Sequence, residues 1–135
     1  MPQIAPIENP HKGNTRSVIF VDDDEDARRQ LLELCAATRP DLRAKAAESI
    51  PDIIHERADF YVVDISAVTF GFSMSGAYSA ICSLMEEHPS ATLIITSAMS
   101  KAAADDLIDD VEEHIKRKPR YGGCGPWEPL SKALH

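Results

Sequence analysis

The sequence predicts an α/β fold, a doubly wound parallel sheet of five strands with helices on both faces. Three observations predict it. Short apolar runs of strand length, VIFV at 18–21, FYVV at 60–63 and TLIIT at 92–96, recur along the chain. They lack polar alternation, as strands buried on both faces do. Between them lie longer stretches of helical periodicity, and this alternation implies βαβ units, hence parallel strands under helical layers. A length of 135 residues suits one domain.

Residues 1–16 carry Pro2, Pro6, Pro10, Gly13 and Asn14 without apolar periodicity and read as a flexible arm, so the domain is expected over 17–135. Val18 to Val21 form the first strand, which stops at Asp22, Asp23 and Asp24. From 26 to 38, Ala27, Leu31, Leu34 and Cys35 recur at helical spacing, with Asp24 or Asp26 as cap and Pro40 beyond the end. A weaker strand follows at 42–46. Ser49 then caps a short helix with Pro51 in its first turn and Ile50, Ile53 and Ile54 inward. The run at 60–63 ends at one carboxylate, Asp64. After a loop at 65–75, residues 76–88 read as a helix with Ile81, Leu84 and Met85 inward and Pro89 after it. The strand at 92–96 ends at Ser97. The stretch 101–116 sets Ala104, Leu107, Ile108, Val111 and Ile115 on one stripe and six acidic residues elsewhere, which reads as a solvated acidic face. Beyond Pro119 the pattern decays. A last strand is expected near 124–127 and a terminal helix from Leu130.

Composition narrows the function. Hydrophobic residues at 44% and charged residues at 27% match a folded soluble domain. A net charge of −8 argues against broad attachment to nucleic acid or to an anionic membrane. No apolar run approaches a spanning helix and the first residues show no leader pattern, so the expected location is the cytoplasm, away from the membrane. Cys35, Cys82 and Cys124 form neither a disulfide frame nor a metal knuckle. His55, His88, His114 and His135 show no ligand spacing and read as surface histidines.

In doubly wound sheets, ligands gather at the carboxyl ends of the strands. Asp22, Asp23, Asp64 and Ser97 each follow the last apolar residue of an expected strand, which brings them to one rim. Carboxylates meeting there repel unless a cation lies between them, and an all-oxygen set suits Mg²⁺ or Mn²⁺. Such an ion, held by one or two carboxylates, handles phosphoryl groups. With Asp64 as nucleophile, the product is an aspartyl phosphate, and the Ser97 hydroxyl is placed to bond a phosphoryl oxygen.

These residues resemble a known family, the receiver domain of two-component response regulators, whose fold is flavodoxin-like (CheY-like). VIFVDDD at 18–24 is similar to its first strand with the metal-binding pair Asp22 and Asp23. FYVVDIS at 60–66 is similar to the phosphoacceptor strand, with Asp64 as acceptor and Ser66 giving a backbone carbonyl to the metal. LIITSA at 93–98 is similar to the strand that ends in a hydroxyl residue and a small one, Ser97 and Ala98. The resemblance spans about two thirds of the chain. It implies a phosphorelay protein that takes a phosphoryl group from a histidine kinase or histidine phosphotransfer protein onto Asp64. Magnesium or manganese would be held by Asp22, Asp23, Asp64 and the Ser66 carbonyl. Output would pass to a downstream protein, with no direct nucleic-acid contact; the chain would be a switch, not a metabolic enzyme.

The sequence departs from the family's pattern at the lysine that normally ends the fifth strand. Lys118-Pro119 is one placement. GCGPWEPL is the other and the preferred one, and it puts Glu128 where lysine is expected. Tyr121 and Trp127 near that strand read as core or lid packing in preference to switch aromatics. Two alternatives stay open: a degenerate receiver that binds partners without phosphorylation, and a haloacid-dehalogenase-like phosphatase with Asp22 as nucleophile and Asp24 as acid/base. The second is disfavoured because no glycine and threonine follow the DxD.

Overall fold

The structure, a computed structural model, describes residues 16–65, 74–96, 101–121 and 127–134. Side chains are described throughout these segments except at 74, 75, 77, 101–104, 121, 127 and 128. Ser66, Ser97 and Cys124 lie outside the described residues, as does the expected arm apart from Arg16.

The elements run β1 (Arg16–Val21), α1 (Glu25–Thr38), β2 (Leu42–Ala47), β3 (Phe60–Asp64), α2 (Met74–Glu87), β4 (Thr92–Thr96), α3 (Lys101–Ile115), β5 (Arg120–Tyr121) and α4 (Trp127–Leu134). All five strands are parallel, in the order β2-β1-β3-β4-β5. The expected doubly wound sheet is therefore present.

Its layers follow from the period-two alternation of strand side chains. Val18, Phe20, Phe60, Val62 and Ile94 face one side, where they pack with Cys35 of α1 and Leu130 and Leu134 of α4. Ile19, Val21, Tyr61, Val63, Leu93 and Ile95 face the other, against Ile81, Leu84 and Met85 of α2 and Leu107, Ile108 and Val111 of α3. Every apolar residue of the runs at 18–21 and 60–63 is buried, which explains why neither run alternates with polar residues. No helix among the described residues is long and apolar enough to cross a membrane.

Three expectations are corrected. The segment after β2 is a pair of turns, closed by Ile53 N–H to the Ile50 carbonyl at 3.0 Å and Glu56 N–H to the Ile53 carbonyl at 2.9 Å, and not a helix. These i→i+3 closures meet the needs of a piece too short for a helical ladder, while Ile50 and Ile53 are still buried as expected. A fifth strand lies at 120–121; of the stretch 124–127 where the last strand was expected, 124–126 lie outside the described residues and Trp127 belongs to a helix. With two ladder positions and no apolar run of its own, the strand takes its identity from its pairing with Ile94 and Ile95. Finally, α4 begins at Trp127 and not at Leu130. Pro129 sits within its first turn, where a missing N–H costs nothing.

Candidate functional site

The acidic rim is built by the order of the strands. From β1 the chain passes outward to β2 and then returns to the other side of β1 for β3. The switch point of the sheet therefore falls between β1 and β3, where a crevice opens beyond the carboxyl ends of the strands. Register Val21↔Val63 is the last pair of that ladder, and one step further sets Asp22 level with Asp64 on strands about 4.8 Å apart. Asp64 is the last residue of β3 and is half-buried. Asp22 is also half-buried, whereas Asp23 is exposed.

Local hydrogen bonds fix the acidic loop. Asp22 N–H donates to the Ala47 carbonyl at 3.0 Å, which carries the β1-β2 ladder one residue past the strand. The Asp22 Oδ1 then accepts from Asp24 N–H at 2.9 Å, closing an Asx turn. Asp24 in turn caps α1, its Oδ1 accepting from Asp26 N–H at 3.0 Å. Asp24 is thus a structural cap, while Asp22 presents its second oxygen from a fixed loop. Glu25 and Asp26 in the first turn complement the positive end of the helix.

One contributor escaped the sequence reading. Arg28 donates from its guanidinium to the Asp22 carbonyl at 2.9 Å, which brings a cation to an otherwise anionic loop. The signal was its position four residues after Asp24, whose carbonyl accepts Arg28 N–H at 2.9 Å. That spacing turns the side chain back over the loop.

The rim does not assemble every residue expected there. Among the described residues, no group of three or more His, Cys, Asp or Glu side chains is gathered closely enough to hold a metal ion. Register brings Asp22 and Asp64 together, and Asp23 does not complete a cage with them. The donor chemistry nevertheless fits magnesium, which keeps several waters and needs only one or two carboxylates.

The lysine question is also decided in part. Lys118 precedes β5, and in a parallel sheet that is the edge opposite Asp22 and Asp64. Glu128 lies in the first turn of α4 and not at a strand end, so the preferred placement is corrected as well. From Tyr121 to Leu130 the sequence reads YGGCGPWEPL, without lysine or arginine.

His88 is likewise more than a surface histidine. It is half-buried, its Nε2 bonds the Ile54 carbonyl at 2.8 Å, and its ring lies 5.2 Å from that of Tyr61.

Solved structures with this architecture have a common character. The BeF3-activated receiver domain of DrrB matches with a TM-score of 0.62 at 18% identity, over 89% of this chain and 97% of that one. The chain has the receiver fold. The signal receiver domain of a DNA-binding response regulator (merR) from Colwellia psychrerythraea 34H gives a TM-score of 0.63 at 17% identity, covering 88% of this chain and 94% of its own. RcsB from Salmonella enterica serovar Typhimurium, bound to promoter rprA in the presence of phosphomimetic BeF3⁻, gives 0.65 at 16% identity, over 89% of this chain and 66% of that one. No family model matches the sequence, and no curated protein matches it.

Proposed function

We infer that residues 17–135 form a phosphoacceptor receiver module of a two-component or phosphorelay system. The observation that supports this reading most directly is the level placement of Asp22 and Asp64 at the switch point of a receiver-type sheet. Asp64 is the acceptor; Asp22 and Asp64 would hold magnesium, and Asp23 and the Ser66 carbonyl would join them only as the acidic loop adjusts to the ion. The ion, when bound, neutralises charge on the transferring oxygens.

An Asp64 carboxylate oxygen attacks the phosphorus of a phosphohistidine in line. The new O–P bond forms as the P–N bond breaks, and the imidazole leaves with the electron pair and takes up a proton. Asp22, held by its Asx turn, stands beside the site. Ser97 supplies a hydroxyl to the phosphoryl oxygens, and the partner is a histidine kinase or a phosphotransfer protein in the cytoplasm. The phosphorylated edge then alters the affinity of a surface next to β4 and α3 for a downstream protein.

A second reading, a receiver that binds its partner without phosphorylation, is favoured by one observation. Lys118 lies at the far edge of the sheet, and residues 122–131, which follow Tyr121, include no lysine or arginine.

Incubation with acetyl phosphate and Mg²⁺, followed by intact-mass measurement, separates the two. The first reading expects a single phosphoryl adduct that Asp64→Asn abolishes. An adduct that survives Asp64→Asn refutes the assignment of Asp64, and no adduct at any Mg²⁺ concentration selects the second reading.

A further inference from the structure

The opposite edge of the sheet has a chemistry of its own. Between the amino ends of β4 and β5 lies a cavity of about 310 Å³ lined by Ser90, Thr92, Arg117, Lys118 and Arg120 among others, with no acidic residue on its wall. Three cations therefore converge on one small space in a chain whose net charge is −8. Among the described residues none of the three forms an ion pair, and the Nη2 of Arg117 is buried without a hydrogen-bond partner.

Both facts need a physical account. Like charges held together repel, and a buried guanidinium N–H without an acceptor carries its full desolvation cost. The backbone adds to the arrangement. Lys116 closes α3 in the left-handed conformation, φ 64°, with its N–H on the Glu112 carbonyl at 2.8 Å. This C-terminal turn throws the 117–120 segment across the amino end of the sheet.

We propose that this cavity is a binding site for an oxyanion, the phosphate group of a small phosphorylated ligand. Arg117, Lys118 and Arg120 supply the charge, and the hydroxyls of Ser90 and Thr92 supply further donors. Arg117 and Arg120 suit the forked geometry of a phosphate and Lys118 acts as a point charge. The body of the ligand extends past Ser90 and Ala91, which are shared with a neighbouring cavity of about 870 Å³ that includes Arg43, Arg57 and His88. The two acids on that wall are already engaged, Asp59 accepting from Ser17 N–H at 2.9 Å and Glu87 lying 3.7 Å from His55 Nδ1, so they do not turn the pair of cavities into a cation site. The site is independent of the acidic rim, since it lies at the other end of the strands.

The test is titration of the full chain with inorganic pyrophosphate, by calorimetry and thermal shift, at constant ionic strength against chloride. Saturable binding is expected. Lys118→Ala combined with Arg120→Ala, both exposed in the fold, is expected to weaken it about tenfold or more. Arg117→Gln acts in the same direction, and Asp64→Asn leaves binding unchanged. Absence of saturable binding by the wild type overturns the proposal, as does equal affinity in the double variant. Binding lost in Asp64→Asn but kept in the double variant also overturns it, because the anion would then sit at the acidic rim.

Discussion

Replacing Tyr61 by Phe tests whether the turn segment before β3 is held by one hydroxyl. Tyr61 has 0% exposure in the middle of the sheet. Its hydroxyl donates to the Glu56 carbonyl and accepts from the buried Ala58 N–H at 3.1 Å, so one side chain satisfies two backbone groups of a segment outside any ladder. Tyr61→Phe keeps the ring and its contact with His88 and removes only the oxygen. An orphaned buried N–H costs about 1–3 kcal/mol and a partly wet carbonyl about 0.5–1 kcal/mol, which sums to about 1.5–4 kcal/mol of stability. With a urea m-value of about 1.5 kcal/mol/M, the midpoint falls by about 1–2.5 M at unchanged m. Circular dichroism during urea titration measures this. A shift below about 0.3 M refutes the reasoning, because water from the adjoining cavity would then be replacing the hydroxyl at no cost.

Two further outcomes concern the backbone and the thiols. Lys116→Gly relieves a left-handed residue and is expected to stabilise the fold by about 0.5–1 kcal/mol, raising Tm by about 2–5 °C in a calorimetric scan. Burial pushes the Cys35 and Cys82 thiols and the Tyr61 phenol up from their ordinary values. Raised values mean the folded state holds these protons more tightly than the unfolded chain. Their contribution is therefore fully present below about pH 8.5 and is lost as pH rises from the ordinary thiol and phenol values up through the raised values of the folded state. Urea midpoints between pH 7 and 11 check the sign, and a midpoint that rises with pH would contradict it.

The sequence reveals an element in proportion to how much of its identity is local. β1, β3 and β4 were legible because their residues are buried on both faces, so each is an unbroken apolar run. α3 was legible because its stripe repeats over four turns. β5 was not, since Arg120 and Tyr121 carry no strand pattern and become a strand only by pairing with Ile94 and Ile95. The pairing of Asp22 with Asp64 followed from one topological rule, which needed no side-chain detail. Arg28 and His88 were missed because each acts on a backbone carbonyl, Asp22 and Ile54, and carbonyls leave no trace in a pattern of side chains.

Charge is distributed along the strands in a way that bears on the chemistry. At the carboxyl edge stand Asp22, Asp23 and Asp64, and Arg28, the cation described there, is bonded to the Asp22 backbone carbonyl. At the amino edge, Arg117, Lys118 and Arg120 surround a cavity without an acid. A phosphoryl group on Asp64 would bring more negative charge to the end that already repels it, and none of the residues GGCGP after Tyr121 carries a compensating side chain. Magnesium would then bear a larger share of that compensation in each phosphoryl-transfer transition state, so both the formation and the hydrolysis of an aspartyl phosphate here should depend on the ion. Chelation after labelling would therefore lengthen the lifetime of the adduct, and a lifetime shortened by chelation would contradict this role of the ion.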